Sequence, residues 1–257
     1  MKLVGSLLLA LLFSHASNLQ AQTTLKFCFE DVPQSPWTMP DGTGLNIELL
    51  RRVEERLGER FELIAKPWKR CQEEVRTGVI DGYFGAGLSE DRRKFSVYPS
   101  LSDGTTDSEA ALNTDQTRVF TRSQSAITWD GKSLQHVKQA IVVQRGYLVG
   151  SILEKKGYTI REVKTLEDAL RLLASGEAEV AILQGMEAVH LSKQDTRFKD
   201  SVVSHSLPYL NLQLYLAISQ HTFKRDPKRF QSIWNGIKTI RNTASYQQLV
   251  ETTTIRE

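Results

Sequence analysis

The sequence lacks the residue patterns that mark most catalytic and metal-binding centres. It holds five histidines in 257 residues, and the four beyond residue 21 are dispersed, with none in a metal-ligand spacing. It contains no Gly-x-Ser-x-Gly motif and no phosphate-binding glycine loop. We therefore expect no catalytic residue, no metal and no cofactor.

Long apolar runs and an excess of one charge are also missing. Beyond the first 21 residues no stretch is long and apolar enough to cross a membrane as a helix. The formal net charge is only +3, and the lysines and arginines are scattered along the chain. Neither nucleic acid nor an anionic membrane surface is therefore expected as a partner. With 40% hydrophobic residues, the chain can build an ordinary core in one large or two modest domains.

The N-terminus has the organisation of a secretory signal peptide. Lys2 precedes an uncharged, mostly apolar run over residues 3–13, which is too short to span a bilayer. Small residues follow, and cleavage after Ala16 or after Ala21 fits the pattern of such peptides. We take residues 1–21 as the signal peptide and expect a soluble, exported mature protein.

Cysteine is scarce, with only Cys28 and Cys71 in the chain. Cys28 lies in a predicted strand over residues 25–29, and Cys71 lies on a predicted helix, where it shares a face with Trp68. In an exported chain two cysteines favour a disulfide, and the alternatives are two free buried thiols or a metal pair. Two cysteines without a clustered histidine make a poor metal site, so we favour the disulfide. Trp68 is assigned to the core.

The most informative stretch is residues 81–99, in which an apolar strand leads into small residues and then into charge. The predicted strand covers residues 80–84, and a Gly-Ala-Gly segment follows it. Glycines let a ligand approach the backbone closely. Ser89 is placed to N-cap the next turn, and an arginine on that turn can hold a carboxylate with two parallel hydrogen bonds. This order predicts an anion site.

Arg92 is the candidate for that site. Arg93 is the alternative, because a shift of one residue in the turn exchanges the two side chains. A second interpretation pairs both arginines with Glu90 and Asp91 on a solvated face. The local sequence does not separate these interpretations, and the neighbouring motifs favour the anion site.

Short motifs occur in order through the first half of the chain: Trp68-x-Arg70, Gly78-x-x-Asp81, Arg92 and Tyr98-Pro99. This order resembles the amino-acid-type periplasmic solute-binding proteins of ABC importers, which are the bacterial extracellular solute-binding protein family 3. The resemblance covers nearly the whole mature chain. It implies an α/β fold of two lobes, each a mixed sheet flanked by helices, joined by two hinge crossovers. We place lobe 1 in residues 22–108 and 207–257, and lobe 2 in residues 109–206.

The resemblance also implies a function. A small polar solute, an amino acid or a related carboxylate, is expected to bind between the lobes, which close by a hinge. A monomer in the periplasm would then deliver it to a membrane ABC permease. One alternative is a ligand sensor that partners a membrane receptor. The other is a small dehydratase or lyase on the same fold, which needs a general acid or base, and Glu30 and Glu187 are the candidates.

The resemblance assigns the ligand carboxylate to Ser89 and Arg92, since a Ser or Thr and an Arg in this loop hold it in that family. Glu30 follows the first strand, at the edge where open α/β sheets bind ligands, and it or Asp31 can take an ammonium group. Trp37 or Tyr83 is expected to cover the apolar part of the ligand.

Lobe 2 departs from the family pattern at two positions. Gly146 opens a helix, and its amides are expected to add to the anion site. Tyr147 replaces a small hydroxyl residue and is expected to line the cleft. Gln184 stands where the family commonly has an Asp that binds the α-ammonium group, and a neutral amide supplies no charge there. Glu30 or Gln184 should therefore meet an amine or hydroxyl. These departures favour a ligand other than a standard amino acid, or a partly degenerate site.

Overall fold

The computed structural model describes residues 23–254, so the predicted signal peptide lies outside the described residues. The strands are β1 Leu25–Glu30, β2 Phe61–Lys66, β3 Gly82–Gly87, β4 Ser96–Val97, β5 Asn113–Arg122, β6 Thr128–Trp129, β7 Leu134–Gln135, β8 Ile141–Gln144, β9 Ile160–Val163, β10 Val180–Gln184 and β11 Val202–Ser219. The helices are α1 Leu45–Leu57, α2 Trp68–Arg76, α3 Glu90–Arg93, α4 Leu148–Lys155, α5 Leu166–Ser175, α6 Met186–Gln194, α7 Gln220–Phe223, α8 Pro227–Arg241 and α9 Ala244–Thr254. The predicted α/β class is confirmed.

One mixed sheet runs through the molecule in the order β2-β1-β3-β11-β5-β10-β8-β9, with β4 paired to β11. Strands β2, β1 and β3 are parallel in one half, and β10, β8 and β9 are parallel in the other. The two central strands, β11 and β5, are antiparallel to each other and to their outer neighbours. Each half is thus a parallel sheet completed by one antiparallel strand, and we call the halves lobe 1 and lobe 2.

Strands β5 and β11 connect the lobes. The first part of β11 pairs with β5, and its last residues pair with β3 of lobe 1, while β5 pairs with β10 of lobe 2. The predicted lobe bounds at residues 108/109 and 206/207 stay predictions. The first falls before β5 and the second falls inside β11.

Buried side chains cover both faces of each lobe. In lobe 1, α1 and α8 pack on one face through residues such as Leu49 and Trp234, and α2 packs on the other through Cys71. In lobe 2, Leu170 of α5 and Leu153 of α4 belong to separate clusters on opposite faces. This double covering is typical of parallel sheets. Among residues 23–254, none of the helices combines the length and hydrophobicity needed to cross a bilayer.

Strand β3 differs from its sequence prediction. It covers Gly82–Gly87 and not residues 80–84, so the Gly-Ala-Gly segment is part of the strand. The reason is long-range pairing, because Ala86 and Gly87 lie opposite Tyr215 and Leu214 of β11. Small residues in this strand let the cleft reach the backbone without breaking the sheet.

The predicted disulfide between Cys28 and Cys71 is present and joins β1 to α2. Both cysteines are fully buried. The bond closes a loop with a sequence separation of 43. It therefore fixes the wall of lobe 1 that carries Glu30 and Trp68.

We expect the double variant Cys28→Ala/Cys71→Ala to lose about 4 kcal/mol of unfolding free energy, because the unfolded chain regains the entropy of an open loop. Denaturant unfolding monitored by fluorescence measures the loss. A reducing agent should destabilise the wild type to a similar extent and leave the double variant unchanged. A loss below 1 kcal/mol would contradict the structural role of the bond.

Candidate functional site

A cavity of about 40 Å³ lies between the two lobes, and we call it the cleft cavity. Its polar and charged lining comes from both lobes and from β5: Glu30, Gln34, Trp37, Thr38, Asn46, Arg92, Asp115, Tyr147 and Gln184. Apolar walls come from Phe29, Trp68, Phe84, Leu212 and Leu214. A volume of about 40 Å³ holds about three water molecules, so a larger solute requires the lobes or the lining side chains to move.

Hydrogen bonds across the cleft hold the lobes in a closed arrangement. Gln34 of lobe 1 donates from Nε2 to the Tyr147 hydroxyl of lobe 2 at 2.7 Å. The carbonyl oxygen of Gly146 accepts from Arg92 Nη2 at 3.2 Å and from Gln72 Nε2 at 3.3 Å. These contacts join three segments of lobe 1 to the single turn before α4.

Ion pairs along the rim of the cleft also cross between the lobes. They are Lys69–Glu162 at 2.8 Å, Asp91–Lys155 at 3.1 Å and Asp31–Lys164 at 3.1 Å. All three lysines are more than half exposed. Exposed pairs of this kind contribute about 0–1 kcal/mol each. The rim therefore favours closure only weakly, and it permits opening.

Arg92 is the central charged group of the cleft cavity. Ser89 caps α3 by accepting from the Arg92 backbone N–H at 3.2 Å, which sets the start of the turn that carries the arginine. The guanidinium donates from Nη1 to the Gly87 carbonyl at 2.7 Å, and it lies 5.5 Å from the ring centroid of Trp68. The residue is only 6% exposed. Within residues 23–254 no carboxylate lies within 4 Å of its nitrogens, so the charge is held by carbonyls and a ring face.

Arg93 points away from the cleft. Its Nη2 donates to the Thr106 hydroxyl, and its Nε lies 3.9 Å from a Glu90 carboxylate oxygen on the partly exposed outer side of the turn. Of the two arginines that the sequence left open, Arg92 is the one at the cavity.

Glu30 lines the cleft cavity at the end of β1. Burial raises its pKa from the ordinary 4.5 to about 8, and the neighbouring carboxyl of Asp31 adds to the rise. Hydrogen bonds from the backbone amides of Trp68 and Asp31 oppose the rise. Glu30 is therefore largely protonated at neutral pH. Asp31, the other acid predicted to meet an amine, turns to the rim and pairs with Lys164.

Asp115 is a second buried carboxyl in the cavity. It lies on β5, and its Oδ2 accepts from Gln184 Nε2 at 3.2 Å. Its Oδ1 accepts from the Gln116 backbone N–H at 2.7 Å. Burial raises its pKa to about 6 against the effect of these two bonds. Gln184, predicted to meet the ligand directly, therefore lines the cavity with its amide nitrogen already directed at a carboxylate.

Tyr147 and Trp37 were both predicted to bind the ligand, and they line the cavity from opposite lobes. Burial raises the pKa of the Tyr147 hydroxyl well above its ordinary value, and the charges of Glu30 and Asp115 add to the effect. Tyr147 thus stays a neutral hydrogen-bonding group at any physiological pH. Contact of Tyr147 and Trp37 with a ligand stays a prediction.

Tyr83, which was predicted as the alternative to Trp37 for covering the ligand, does not line the cavity. It is fully buried in the core of lobe 1 on the opposite face of β3 from Phe84. Its hydroxyl bonds Ser96 Oγ at 3.1 Å and Tyr98 Oη at 3.2 Å, and its ring packs on Trp68. Tyr83 is the second residue of β3, and the cavity is lined by residues nearer the carboxyl end of that strand, Phe84, Gly85 and Gly87.

Ser89 and Gly146 are near the cavity, but neither offers the group that was predicted. The Ser89 hydroxyl is engaged in capping α3 and lines an adjoining groove. The Gly146 N–H donates to Glu162 Oε1 of its own lobe at 3.1 Å, so it is not directed at an anion in the cavity. The carbonyl of Gly146, which accepts from Arg92, is the group that meets the cleft.

Several lining residues were missed at the sequence level. Trp68 was assigned to the core, and it is buried, but one part of its ring also walls the cavity. Asp115 and Asn46 carry no local motif, and only the pairing of β5 and the docking of α1 bring them to the cleft. Glu187 lies on α6 and lines a different cavity, beside Pro36 and Trp37. Residues 23–254 contain no cluster of His, Cys, Asp or Glu that could hold a metal.

The structure is similar to those of two-lobed binding domains. A histidine kinase sensor domain with similarity to periplasmic binding proteins has a TM-score of 0.73 and 18% identity over 90% of this chain and 96% of that one. A mutant of ArgBP from T. maritima has a TM-score of 0.69 and 17% identity, over 90% and 95%. An ancestral amino acid-binding protein, a precursor of cyclohexadienyl dehydratase, has a TM-score of 0.66 and 19% identity, over 90% and 94%.

No protein-family model and no curated protein matches this sequence. Identities of 17 to 19% establish the fold and leave the ligand to the residues of the site. The chain has the two-lobed fold of periplasmic amino-acid-binding proteins, and the predicted fold is confirmed.

Glu30 makes the unfolding free energy of the protein depend on pH. Its pKa is higher in the folded protein than the 4.5 of an exposed glutamate, so its contribution to stability is complete below pH 4.5 and is lost as the pH rises to about 8. The quantity to compare is the unfolding free energy of Glu30→Gln minus that of the wild type. We expect this difference to be larger at pH 8 than at pH 5 by on the order of 2 to 4 kcal/mol. Denaturant unfolding at both pH values measures the difference. Glu55→Gln on the exposed side of α1 is the control, and an equal change in both variants would contradict the assignment.

Proposed function

We propose that this chain binds a small polar solute, an amino acid or a related carboxylate, in the cleft between its lobes. The observation that carries the proposal is the buried guanidinium of Arg92, which faces the cleft cavity without a carboxylate partner among the described residues. A buried arginine fork is suited to hold a ligand carboxylate. The likeness to proteins named as amino-acid-binding supports the same ligand class.

The construction of the cleft supports opening and closing. Each lobe has its own buried clusters, and the lobes share the two strands β5 and β11. The contacts that cross the cleft are a few hydrogen bonds and exposed ion pairs, which cost little to break. A hinge about two strands is a recurrent way in which two-lobed domains admit and release a ligand.

Delivery to a membrane ABC permease, after export through the signal peptide at residues 1–21, is the physiological role that we propose. The buried disulfide supports an oxidising compartment such as the periplasm. A sensor role, in which the closed lobes signal to a membrane receptor, is favoured by the likeness to the histidine kinase sensor domain. Both roles require the same binding event.

An enzymatic role is the other candidate, and one observation favours it. Glu30 lines the cavity, and burial raises its pKa to about 8, which favours the protonated form that a general acid requires. A dehydratase or lyase would use that proton to assist a leaving group. Binding and turnover differ in whether the solute survives incubation with the protein.

We expect a thermal-shift screen of ligand-stripped protein to find a compound that raises the unfolding midpoint. The compounds screened are amino acids, amines, organic acids and cyclic carboxylates. A ligand at 100 times its Kd stabilises the folded state by about 2.7 kcal/mol. Mass spectrometry of the incubated ligand should recover it unchanged. If the ligand is consumed, the function is the lyase reaction and not binding alone. If no compound stabilises the protein, the proposal is contradicted.

Arg92→Ala should weaken binding of the ligand found by this screen about 100-fold, because two charge-assisted hydrogen bonds to its carboxylate are lost. Arg93→Ala is the matched control and should change the Kd less than twofold, since Arg93 bonds outside the cleft. Calorimetry gives both constants. Arg92→Lys keeps the charge and provides a folded comparison if the alanine variant unfolds. Equal affinity in Arg92→Ala and wild type would refute the carboxylate role.

A further inference from the structure

The turn before α4 reaches from lobe 2 into contact with lobe 1, and we call Gly146 and Tyr147 the latch turn. We propose that the latch turn is an internal competitor of the ligand, because it holds the lobes together through contacts that a bound solute must displace. The inference rests on the proposed function and adds to it a regulation of the same site. It gives the Tyr147 hydroxyl a role opposite to that of a ligand contact.

The carbonyl of Gly146 bonds to the guanidinium that is proposed to hold the ligand. It accepts from Arg92 Nη2 at 3.2 Å, while Arg92 Nη1 donates to the Gly87 carbonyl at 2.7 Å. Both arms of the guanidinium therefore already bond to carbonyl oxygens of the chain. A ligand carboxylate that takes two parallel hydrogen bonds from Arg92 would lie beside the Gly146 oxygen, acceptor against acceptor. Arg92 therefore favours one of the two acceptors at a time.

The side chain of Tyr147 crosses the cleft to lobe 1. Its hydroxyl accepts from Gln34 Nε2 at 2.7 Å, and its ring packs against an apolar cluster of each lobe. Tyr147 is also the N-cap of α4, and its side chain makes no capping hydrogen bond with any described residue. A short polar side chain at an N-cap stabilises a helix by accepting from the free amides of the first turn. Tyrosine forgoes that stabilisation at this position, and the contact with lobe 1 takes its place.

The size of the cleft cavity sets the latch turn against a solute. With the contacts of the latch turn in place, the cavity measures about 40 Å³ and holds about three water molecules. Even the smallest amino acid has more heavy atoms than that. A solute enters by moving Tyr147 away from Gln34 and the Gly146 carbonyl away from Arg92. Only the unlatched fraction of the protein then binds.

A latch of this kind lowers the apparent affinity in proportion to the unlatched fraction. The loss of one hydrogen bond from the latch should shift the balance of latched and unlatched molecules by about two- to tenfold. A weaker latch therefore tightens binding and speeds association, whereas the loss of a ligand contact weakens binding. The sign of the change distinguishes the two roles.

Two variants weaken the latch at different contacts. Tyr147→Phe removes the hydroxyl that accepts from Gln34 and keeps the ring. Gln72 donates to the Gly146 carbonyl at 3.3 Å and does not line the cleft cavity, so Gln72→Ala removes no side chain that a solute in the cavity would meet. Tyr158→Phe is the matched control, because that hydroxyl donates to the Leu134 carbonyl within lobe 2.

The first test needs no ligand. Phenylglyoxal modifies accessible arginines, and Arg92 is only 6% exposed, so its rate of modification should follow the unlatched fraction. Peptide mass spectrometry should show Arg92 modified about two- to tenfold faster in Tyr147→Phe and in Gln72→Ala than in wild type. Arg70, whose side chain is 71% exposed, is the internal reference and should react at one rate in all proteins. If Arg92 reacts at the wild-type rate in both variants, the latch is refuted and the proposed function is untouched.

The second test measures competition with a solute. The probe is the compound with the largest thermal shift among the protein amino acids and simple carboxylic acids. Tyr147→Phe and Gln72→Ala should each bind it about two- to tenfold more tightly than wild type, with faster association, while Tyr158→Phe matches wild type. Calorimetry gives the Kd and stopped-flow fluorescence gives the association rate. Weaker or unchanged binding in either variant overturns the competition. If no compound binds wild type or either variant, the proposed function fails, and the rate of Arg92 modification still decides whether the lobes are latched.

Discussion

Much of the arrangement of the two lobes follows from the burial of one guanidinium between them. Arginine cannot lose its charge in a protein, so a residue 6% exposed must be given acceptors. Arg92 obtains one carbonyl from each lobe, Gly87 and Gly146. Gly146 has a φ of 76°, and a Cβ there would lie 2.9 Å from the Lys69 side chain of the facing lobe. The close approach of the lobes therefore depends on glycine at the position that completes the arginine's hydrogen bonds.

The same closure has to be reversible if a solute is to enter, and the division of the core allows it. The fully buried members of the apolar clusters lie in one lobe or the other, and Tyr147 at the start of α4 packs against a cluster of each lobe, so separating the lobes exposes mainly the surroundings of this one ring. Backbone hydrogen bonds between β5 and β11 persist through such a motion, because both strands run through both lobes. The contacts that must break are the hydrogen bonds and rim ion pairs across the cleft, together with the packing of Tyr147 on lobe 1. Stability thus resides in the lobes and the shared strands, while the cleft holds contacts that a ligand can replace.

Local sequence was sufficient where a short segment determines its own geometry. The capped turn at Ser89, the arginine beside it and the two cysteines are of this kind, and the structure places Arg92 in the cleft and pairs the cysteines. Prediction failed where distant pairing decides the outcome. Tyr83 lies in the core because β3 extends to Gly87 against β11, which places the residues nearer the end of the strand, and not Tyr83, at the cavity. The Gly146 amide is taken by Glu162, and no local pattern links those two residues.

Asp115 shows why a missing motif residue need not mean a lost site. Gln184 lies opposite Thr117 in the antiparallel pairing of β10 with β5. Side chains two residues apart on a strand share a face, so Asp115 projects to the same side as Thr117 and reaches the amide of Gln184. The resemblance predicts an acid at position 184 in this cavity. In this chain the acid that lines this part of the cavity is Asp115, on the neighbouring strand. The buried acid of this part of the cavity therefore lies on β5 and not at position 184. The chemistry of a site of this kind is therefore better inferred from the groups that meet in space than from the residue at any single position of a motif.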